Sequence, residues 1–122
     1  MELVDVLPTV LECCAVQTPP FAQGRSFLPL LTGGAYRERT SAFAETKVPF
    51  GMSWKSARTQ EWLYAASADG RELLYDLRSD PDQLRDISGL PEAADALHTM
   101  RRELLARWFD TEKQYPLRTG RY

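Results

Sequence analysis

The sequence predicts an α+β fold, in which a small antiparallel sheet of about four strands packs against a long C-terminal helix and a helical segment precedes the sheet. Residues 5–16 and residues 91–111 repeat apolar residues every three or four positions, which is the helical period. Between them lie four short segments of residues that favour strands. Their connections are shorter than the crossovers of about a dozen residues that parallel strands need, so antiparallel pairing is predicted.

Length and composition limit the classes of protein that fit this chain. The 122 residues suffice for one domain, and 43% hydrophobic with 26% charged residues is ordinary for a globular protein. The net charge of −2 argues against a non-specific nucleic-acid binder, which needs surplus Lys and Arg to displace counterions from phosphates. No apolar run approaches the roughly 20 residues that cross a bilayer, so no membrane partner is expected. No secretory signal is predicted, and the compartment stays open.

The first predicted helix runs from Asp5 to Val16. Asp5 is expected to serve as its N-cap, and Pro8 falls in the first turn, where a missing N–H does no harm. Cys13 and Cys14 are adjacent, so on a helix they point about 100° apart, which disfavours a mutual disulfide and supplies too few ligands for zinc. We expect both to be buried as small apolar side chains.

A second, short helix is predicted after the break at residues 18–20. Ser26 is a plausible cap for one or two turns through Leu28–Leu31, which Gly33 and Gly34 close. Residues 36–40, which include Arg37, Glu38 and Arg39, have two interpretations: a solvated loop, which we favour, or a rim that meets anionic ligands.

The four strands are predicted at residues 41–45, 53–58, 62–66 and 73–77. The last follows Asp69-Gly70, a hairpin signal, and ends before Asp80-Pro81, because proline cannot donate to a strand ladder.

The long helix begins at Pro91, which fits the first helical position. Leu97, Leu104 and Trp108 lie on one stripe that should cover the sheet. If Trp108 is fully buried there, Trp108→Ala should cost about 3–5 kcal/mol.

Three strings, in order, resemble sulfatases. Residues 4–12 read VDVLPTVLE and are similar to the "VDLLPTLLEL" helix of that family. Residues 24–33 read GRSFLPLLTG and are similar to its "GRSLLPLLTG". Leu74–Leu77, Asp80-Pro81 and Leu84 resemble the "LYDL..DP.E..NL" signature near its C-terminus. The resemblance implies that residues 1–34 are the end of a sulfatase catalytic domain and residues 35–122 the sulfatase C-terminal subdomain. The first helix would then be left over from that catalytic domain.

Sulfatases use a formylglycine made from the cysteine of a Cys-X-Pro-Ser-Arg-like motif, or from a serine in its place, beside a divalent cation that is usually calcium. In this chain Cys13–Gln17 lacks the Ser and the Arg, so no catalytic residue is predicted. The resemblance places the formylglycine and the cation in an N-terminal part that this chain lacks, and no cofactor is expected here. Asp76, Asp80 and Asp82 are interpreted as turn and cap residues, and Asp95 with His98 as surface residues, so no metal site is predicted.

Four residues are candidates for a rim that meets a sulfated substrate: Lys47, Trp54, Lys55 and Arg58. Cationic groups pair with anions, and aromatic faces stack on sugar rings. The alternative, which we favour, is that Trp54 and Trp62 are core residues and that Lys55 and Arg58 line the wet side of a half-buried strand.

The chain is therefore identified as a C-terminal segment of a sulfatase-like hydrolase, which would complete the fold and the substrate mouth of an enzyme that hydrolyses sulfuric esters. Its expected partner is the missing catalytic domain, or a second copy of itself. A sulfated small molecule or glycan is expected only in the full enzyme. The alternatives are a free-standing, non-catalytic binding or assembly module and an autonomous enzyme. We expect the apolar face of Val6, Val10, Leu11 and Leu28–Leu31 to be left partly uncovered.

Overall fold

Four strands form one antiparallel sheet in the computed structural model, which describes residues 1–46 and 52–112. The strands are β1 (Ala42–Thr46), β2 (Trp54–Arg58), β3 (Trp62–Ser67) and β4 (Glu72–Asp76), and each pairs with the next in the order β1-β2-β3-β4. The helices are α1 (Val6–Cys13), α2 (Leu28–Leu31) and α3 (Ala94–Thr111), with single 3-10 turns at Leu3–Asp5 and Pro91–Ala93. The α+β prediction is confirmed, and no strand boundary differs from its prediction by more than one residue.

The described residues fall into two compact units. The first comprises Met1–Arg39 with residues 110–112, and the second comprises Thr40–Phe109. The prediction that a sulfatase catalytic domain ends at residue 34 stays a prediction. None of the helices in the described part of the chain has the length and apolar character that a membrane crossing requires.

The second unit has an apolar core between one face of the sheet and the long helix. Because successive strand residues point to opposite faces, Ala57, Tyr64 and Leu74 share the inner face. They are buried together with residues from the turn before α3 and from α3 itself, which are Ala93, Leu97, Met100 and Leu104. The helix therefore covers the sheet, as its stripe predicts.

Trp108 departs from the predicted stripe. It is 37% exposed, so the expected full burial is wrong, and the cost of Trp108→Ala should fall below the range predicted for a buried ring. The reason lies in its surroundings. The Lys55 ammonium lies 4.7 Å from the centroid of the Trp108 ring, so the ring contacts a charged side chain of β2.

The connection from β4 to α3 is organised by aspartates. The Asp80 carboxylate accepts hydrogen bonds from the backbone N–H groups of Leu84 (3.1 Å) and Arg85 (2.9 Å). The Asp76 carboxylate accepts one from Arg78 N–H at 3.0 Å. Their predicted role in turns is confirmed. Asp86 was not singled out in the sequence, yet it accepts the N–H of Leu74 in β4 at 3.0 Å and so attaches this connection to the sheet.

In the first unit, the predicted first helix is present but ends three residues early, at Cys13. Ala15 then adopts a left-handed backbone with φ of 55°, which turns the chain away from the helix axis. Cys13 and Cys14 are both exposed, so the expectation that they are buried is wrong. The three-and-four spacing counted Cys14 as part of a helix face, but the helix has ended there and the two thiols lie at its open end.

Candidate functional site

The predicted rim residues do not form one cluster. Successive side chains of a strand point to opposite faces of the sheet. Lys55 therefore shares the inner face with Ala57, whereas Trp54 and Arg58 lie on the outer face. Arg58 is exposed and Trp54 is half-buried, with the Arg71 guanidinium 5.9 Å from its ring centroid. Lys47 lies outside the described residues. Trp62 packs against the core, in line with the favoured alternative. That alternative is wrong for Trp54, which lies on the outer face, and for Lys55, which lies on the inner face. A role of the four residues toward substrate stays a prediction.

Lys55 is the rim candidate with the most developed surroundings. Its ammonium pairs with the carboxylate of Glu45, its partner across the β1–β2 ladder, at 2.6 Å. The Trp108 ring lies 4.7 Å away and the Phe43 ring 6.0 Å away, both within the range of cation–π attraction. Only 22% of the side chain is exposed. Lys55 is therefore a largely covered cation held between a carboxylate and aromatic rings.

A second charged group ties α3 to β4. Arg101 donates from Nε to Glu72 Oε1 at 2.7 Å and from a terminal nitrogen to Glu72 Oε2, and the Tyr64 hydroxyl donates to the same carboxylate. The hydrogen bonds from Arg101 outweigh the effect of burial and lower the pKa of Glu72 to about 2. Burial, followed by the bond to Glu72, raises the pKa of Tyr64 to about 12. At neutral pH, Glu72 is thus ionised and Tyr64 is neutral.

These two groups lie at a cleft between the inner face of the sheet and α3. Its volume is about 410 Å³. Its apolar walls are formed by Ala66, Ala68, Leu104, Leu105 and Trp108. Lys55, Arg101, Glu72 and the hydroxyl-bearing residues Ser53, Ser67 and Tyr64 also line it. The cleft can hold a small molecule that combines an apolar body with a charged group.

The first unit is built around a buried carboxylate. Asp5 has no exposed surface and accepts backbone N–H groups from Glu2 at 2.7 Å and Arg25 at 2.9 Å. Arg39 donates to the same carboxylate, and its Nε lies 3.0 Å from Glu2 Oε2. Burial opposes the ionisation of Asp5, but the hydrogen bonds outweigh it and lower its pKa from 3.8 to about 2. Asp5 occupies the predicted N-cap position of α1, but its carboxylate makes no capping bond to that helix and instead accepts Glu2 N–H in the preceding 3-10 turn.

Within residues 36–40, for which a solvated loop is predicted, Arg37, Glu38 and Thr40 are exposed, but Arg39 is not. The Arg39 side chain is only 6% exposed, since the buried Asp5 and the adjacent Glu2 both pair with it. Asp5 and Arg39 are separated by 34 positions, and no local pattern in the sequence links them. Gly24 shows how closely the chain approaches this point, because a Cβ there would lie 1.9 Å from the carbonyl oxygen of Val4.

The first unit also exposes apolar side chains. Val6, Leu7 and Val10 of α1 and Leu30 and Leu31 of α2 are all exposed. The prediction that this face is left partly uncovered is confirmed.

The described residues do not fit the cation that sulfatases use. Within residues 1–46 and 52–112, no group of three or more His, Cys, Asp or Glu side chains could hold a metal ion. The two cysteines lie at the end of α1 without the Ser and Arg of the formylglycine motif.

Residues 1–110, nearly the whole chain, match the family described as N-sulphoglucosamine sulphohydrolase, C-terminal. The chain belongs to this family and is a sulfatase C-terminal domain, which confirms the resemblance of the three sequence strings.

Individual proteins agree with this assignment. Arylsulfatase K of Mus musculus is 34% identical over an alignment of 101 positions, and the match covers 72% of this chain and 18% of the mouse protein. The chain spans about a fifth of the length of the curated relatives it matches. A protein solved in complex with its substrate D-glucosamine-2-N,6-O-disulfate has a TM-score of 0.80 at 21% identity, over 95% of this chain and 25% of that one. The phosphonate monoester hydrolase of Agrobacterium radiobacter has a TM-score of 0.76 at 22% identity, and the match covers 87% of this chain and 24% of the hydrolase. At these identities the two structures show a shared fold.

Proposed function

We propose that this chain is the C-terminal segment of a sulfatase-like hydrolase and that it completes the fold and the substrate mouth of the whole enzyme without supplying catalytic residues. The observation that carries the proposal is the exposed apolar face of α1 and α2, in a chain whose second unit buries an apolar core of its own. Apolar surface of this kind marks an interface. A sulfatase catalytic domain is the partner that fits, since the matched relatives are about five times longer than this chain.

The reaction of the whole enzyme would be hydrolysis of sulfuric esters. Support comes from the sulfatase names of the relatives and from the disulfated substrate of a protein with the same fold. The formylglycine and the divalent cation would belong to the catalytic part, because the described residues offer neither motif nor ligand cluster. Lys47, Trp54, Lys55 and Arg58 remain the candidates for contact with a sulfated small molecule or glycan.

The alternative is a free-standing module that uses the same exposed face to dock onto a separate sulfatase chain or onto a second copy. The two possibilities place the catalytic part differently, on the same polypeptide or on another one. The sequence encoded upstream of Met1 separates them: a continuous reading frame with a Cys-X-Pro-Ser-Arg-like motif supports the first, and its absence favours the second.

The decisive experiment compares three preparations for hydrolysis of 4-nitrophenyl sulfate in the presence of Ca²⁺. These are the 122-residue chain alone, a polypeptide in which a sulfatase catalytic domain precedes it, and that same polypeptide with residues 1–122 deleted. We expect activity only in the second preparation, together with loss of solubility in the third. Turnover by the 122-residue chain alone would contradict the proposal.

A further inference from the structure

The cleft between the sheet and α3 lies wholly within the Thr40–Phe109 unit and has no assigned ligand. We propose that it binds a flat aromatic monoanion, with the ring against Trp108 and the anionic group on Lys55. This inference goes beyond the proposed function and does not rest on it, because every residue involved belongs to this unit.

The first argument is the size and composition of the cleft. Small-molecule sites in proteins have volumes of roughly 300–1,000 Å³ and combine apolar walls with a few polar groups. The cleft, at about 410 Å³, is within this range. Leu104, Leu105 and Ala66 supply aliphatic walls, and the partly exposed Trp108 supplies a ring on which another ring can stack.

The second argument is charge. Among the described residues that line the cleft, Lys55 and Arg101 are cations and Glu72 is the carboxylate, while Glu45 reaches the Lys55 ammonium from β1. Glu72 already accepts two hydrogen bonds from Arg101 and one from Tyr64, so it is poorly placed to attract a ligand cation. Glu45 and Glu72 balance the two cations, so the preference for an anion comes from the hydrogen-bonding capacity of Lys55 and not from a net positive charge.

The third argument is the hydrogen-bonding capacity of Lys55. An ammonium group carries three N–H donors, and Glu45 accepts from one of them. An incoming anion can thus be added to Lys55 without displacing Glu45. With only 22% of the side chain exposed, this contact would be better protected from solvent than a surface ion pair. A single anionic group on an aromatic ring satisfies Lys55 and Trp108 at the same time.

Isothermal titration calorimetry of the 122-residue chain tests the proposal with three probes that share one ring system. 2-Naphthalenesulfonate and 2-naphthoate carry the anion, and 2-naphthol is the uncharged comparison. We expect both anions to bind about tenfold more tightly than 2-naphthol, or more. Binding of both assigns the cleft to aromatic anions in general, whereas binding of the sulfonate alone narrows the ligand to sulfur oxyanions.

Matched variants locate the site. Lys55→Met should weaken binding of the anions about tenfold and leave 2-naphthol unchanged. Arg58→Met removes a charge from the other face of the same strand and should change each affinity by less than about twofold. Trp108→Leu should weaken binding of all three probes, while Phe109→Leu, at a neighbouring residue that is 71% exposed, should not.

Wild-type measurements keep the test decisive if Lys55→Met unfolds. In NMR spectra, the indole Nε1–H signal of Trp108 should shift as 2-naphthalenesulfonate is added. High salt should weaken binding of the sulfonate but not binding of 2-naphthol. Equal affinities for 2-naphthol and both anions would overturn the proposal. Equal losses of anion affinity in Lys55→Met and Arg58→Met would also overturn the proposal, as would NMR shifts confined to α1.

Discussion

The two units of this chain bury different kinds of residue. In Thr40–Phe109 the buried apolar side chains of the sheet and α3 form one cluster. In residues 1–39 the buried residues are Asp5, Pro8 and Thr9, while most leucines and valines of α1 and α2 are exposed and Leu11 and Leu28 are half-buried. Apolar burial is the main favourable term in folding, so the second unit has its own source of stability. The first unit is held largely by polar contacts.

The contacts of Asp5 explain why the first unit keeps a defined geometry although it buries few apolar side chains. The carboxylate joins the chain start, the segment at Arg25 and the side chain of Arg39. Thr9 adds to this group, because its hydroxyl accepts the N–H of Phe27 at 3.0 Å. Buried ion pairs contribute little net stability relative to apolar packing, but they penalise any arrangement that leaves a charge unpaired. The first unit is thus fixed in shape while its apolar face remains available for a partner.

The largest expected effect comes from removing Asp5. Asp5→Ala leaves the nearly buried Arg39 guanidinium without its main partner, which should cost the first unit about 3–5 kcal/mol. Limited proteolysis within residues 1–39 would report the loss, and adding Arg39→Met should recover part of it. The matched control is Asp69→Ala, since the Asp69–Arg71 pair is exposed to solvent and should contribute little to stability. Equal costs at the two sites would contradict the contrast between a buried and an exposed pair.

Acid should also weaken the first unit through Asp5. Its folded pKa of about 2 lies below the ordinary value of 3.8, so the ionised carboxylate stabilises the fold. That contribution, about 2 kcal/mol, is fully present well above pH 3.8 and is lost as the pH falls toward 2. Urea unfolding measured at several pH values between about 4 and 2, with a probe within residues 1–39, should show the free energy of unfolding of the first unit falling with pH.

Two variants separate this effect from acid effects in the second unit. Asp5→Asn should flatten the pH dependence of the stability of the first unit. Glu72→Gln should change the pH dependence of the stability of the second unit, because the pKa of Glu72 is also about 2. A first unit whose acid response is unaltered in Asp5→Asn would rule out Asp5 as its cause.

The smallest expected effect distinguishes an exposed apolar residue from a core residue. Leu7 of α1 is 53% exposed, so Leu7→Gln should change the free energy of unfolding by no more than about 0.5 kcal/mol. It should also reduce self-association in sedimentation experiments, because it interrupts the apolar face. Leu74 of β4, with 0% exposure, is the control, and Leu74→Ala should cost about 2–5 kcal/mol. If Leu7→Gln lowered the free energy of unfolding as much as Leu74→Ala, Leu7 would be a core residue and the exposed face of α1 would not be available to a partner.

The strands and the long helix could be predicted because their signals are local. Alternation over five residues and a repeat of three or four residues do not depend on distant parts of the chain. The pairing of Asp5 with Arg39 and the contact of Trp108 with Lys55 depend on which distant segments meet, so the sequence patterns did not reveal them.

The candidate rim offers a different lesson. Strand alternation alone indicates that Lys55 and its neighbour Trp54 point to opposite faces, so their separation could have been predicted. The cleft itself could not, because it needs the position of Arg101 and Trp108 on α3 relative to the sheet. Cys13 and Cys14 were misjudged because periodicity does not mark the residue at which a helix ends.

Hydrogen exchange of the 122-residue chain tests most directly whether the second unit is self-sufficient and the first is not. The comparison is between backbone amides of α1 (Val6–Cys13) and those of β3 (Trp62–Ser67) under native conditions. We expect the β3 amides to exchange only through global unfolding and the α1 amides to exchange at least about tenfold faster. Equal protection of α1 and β3 in the chain alone would contradict the account.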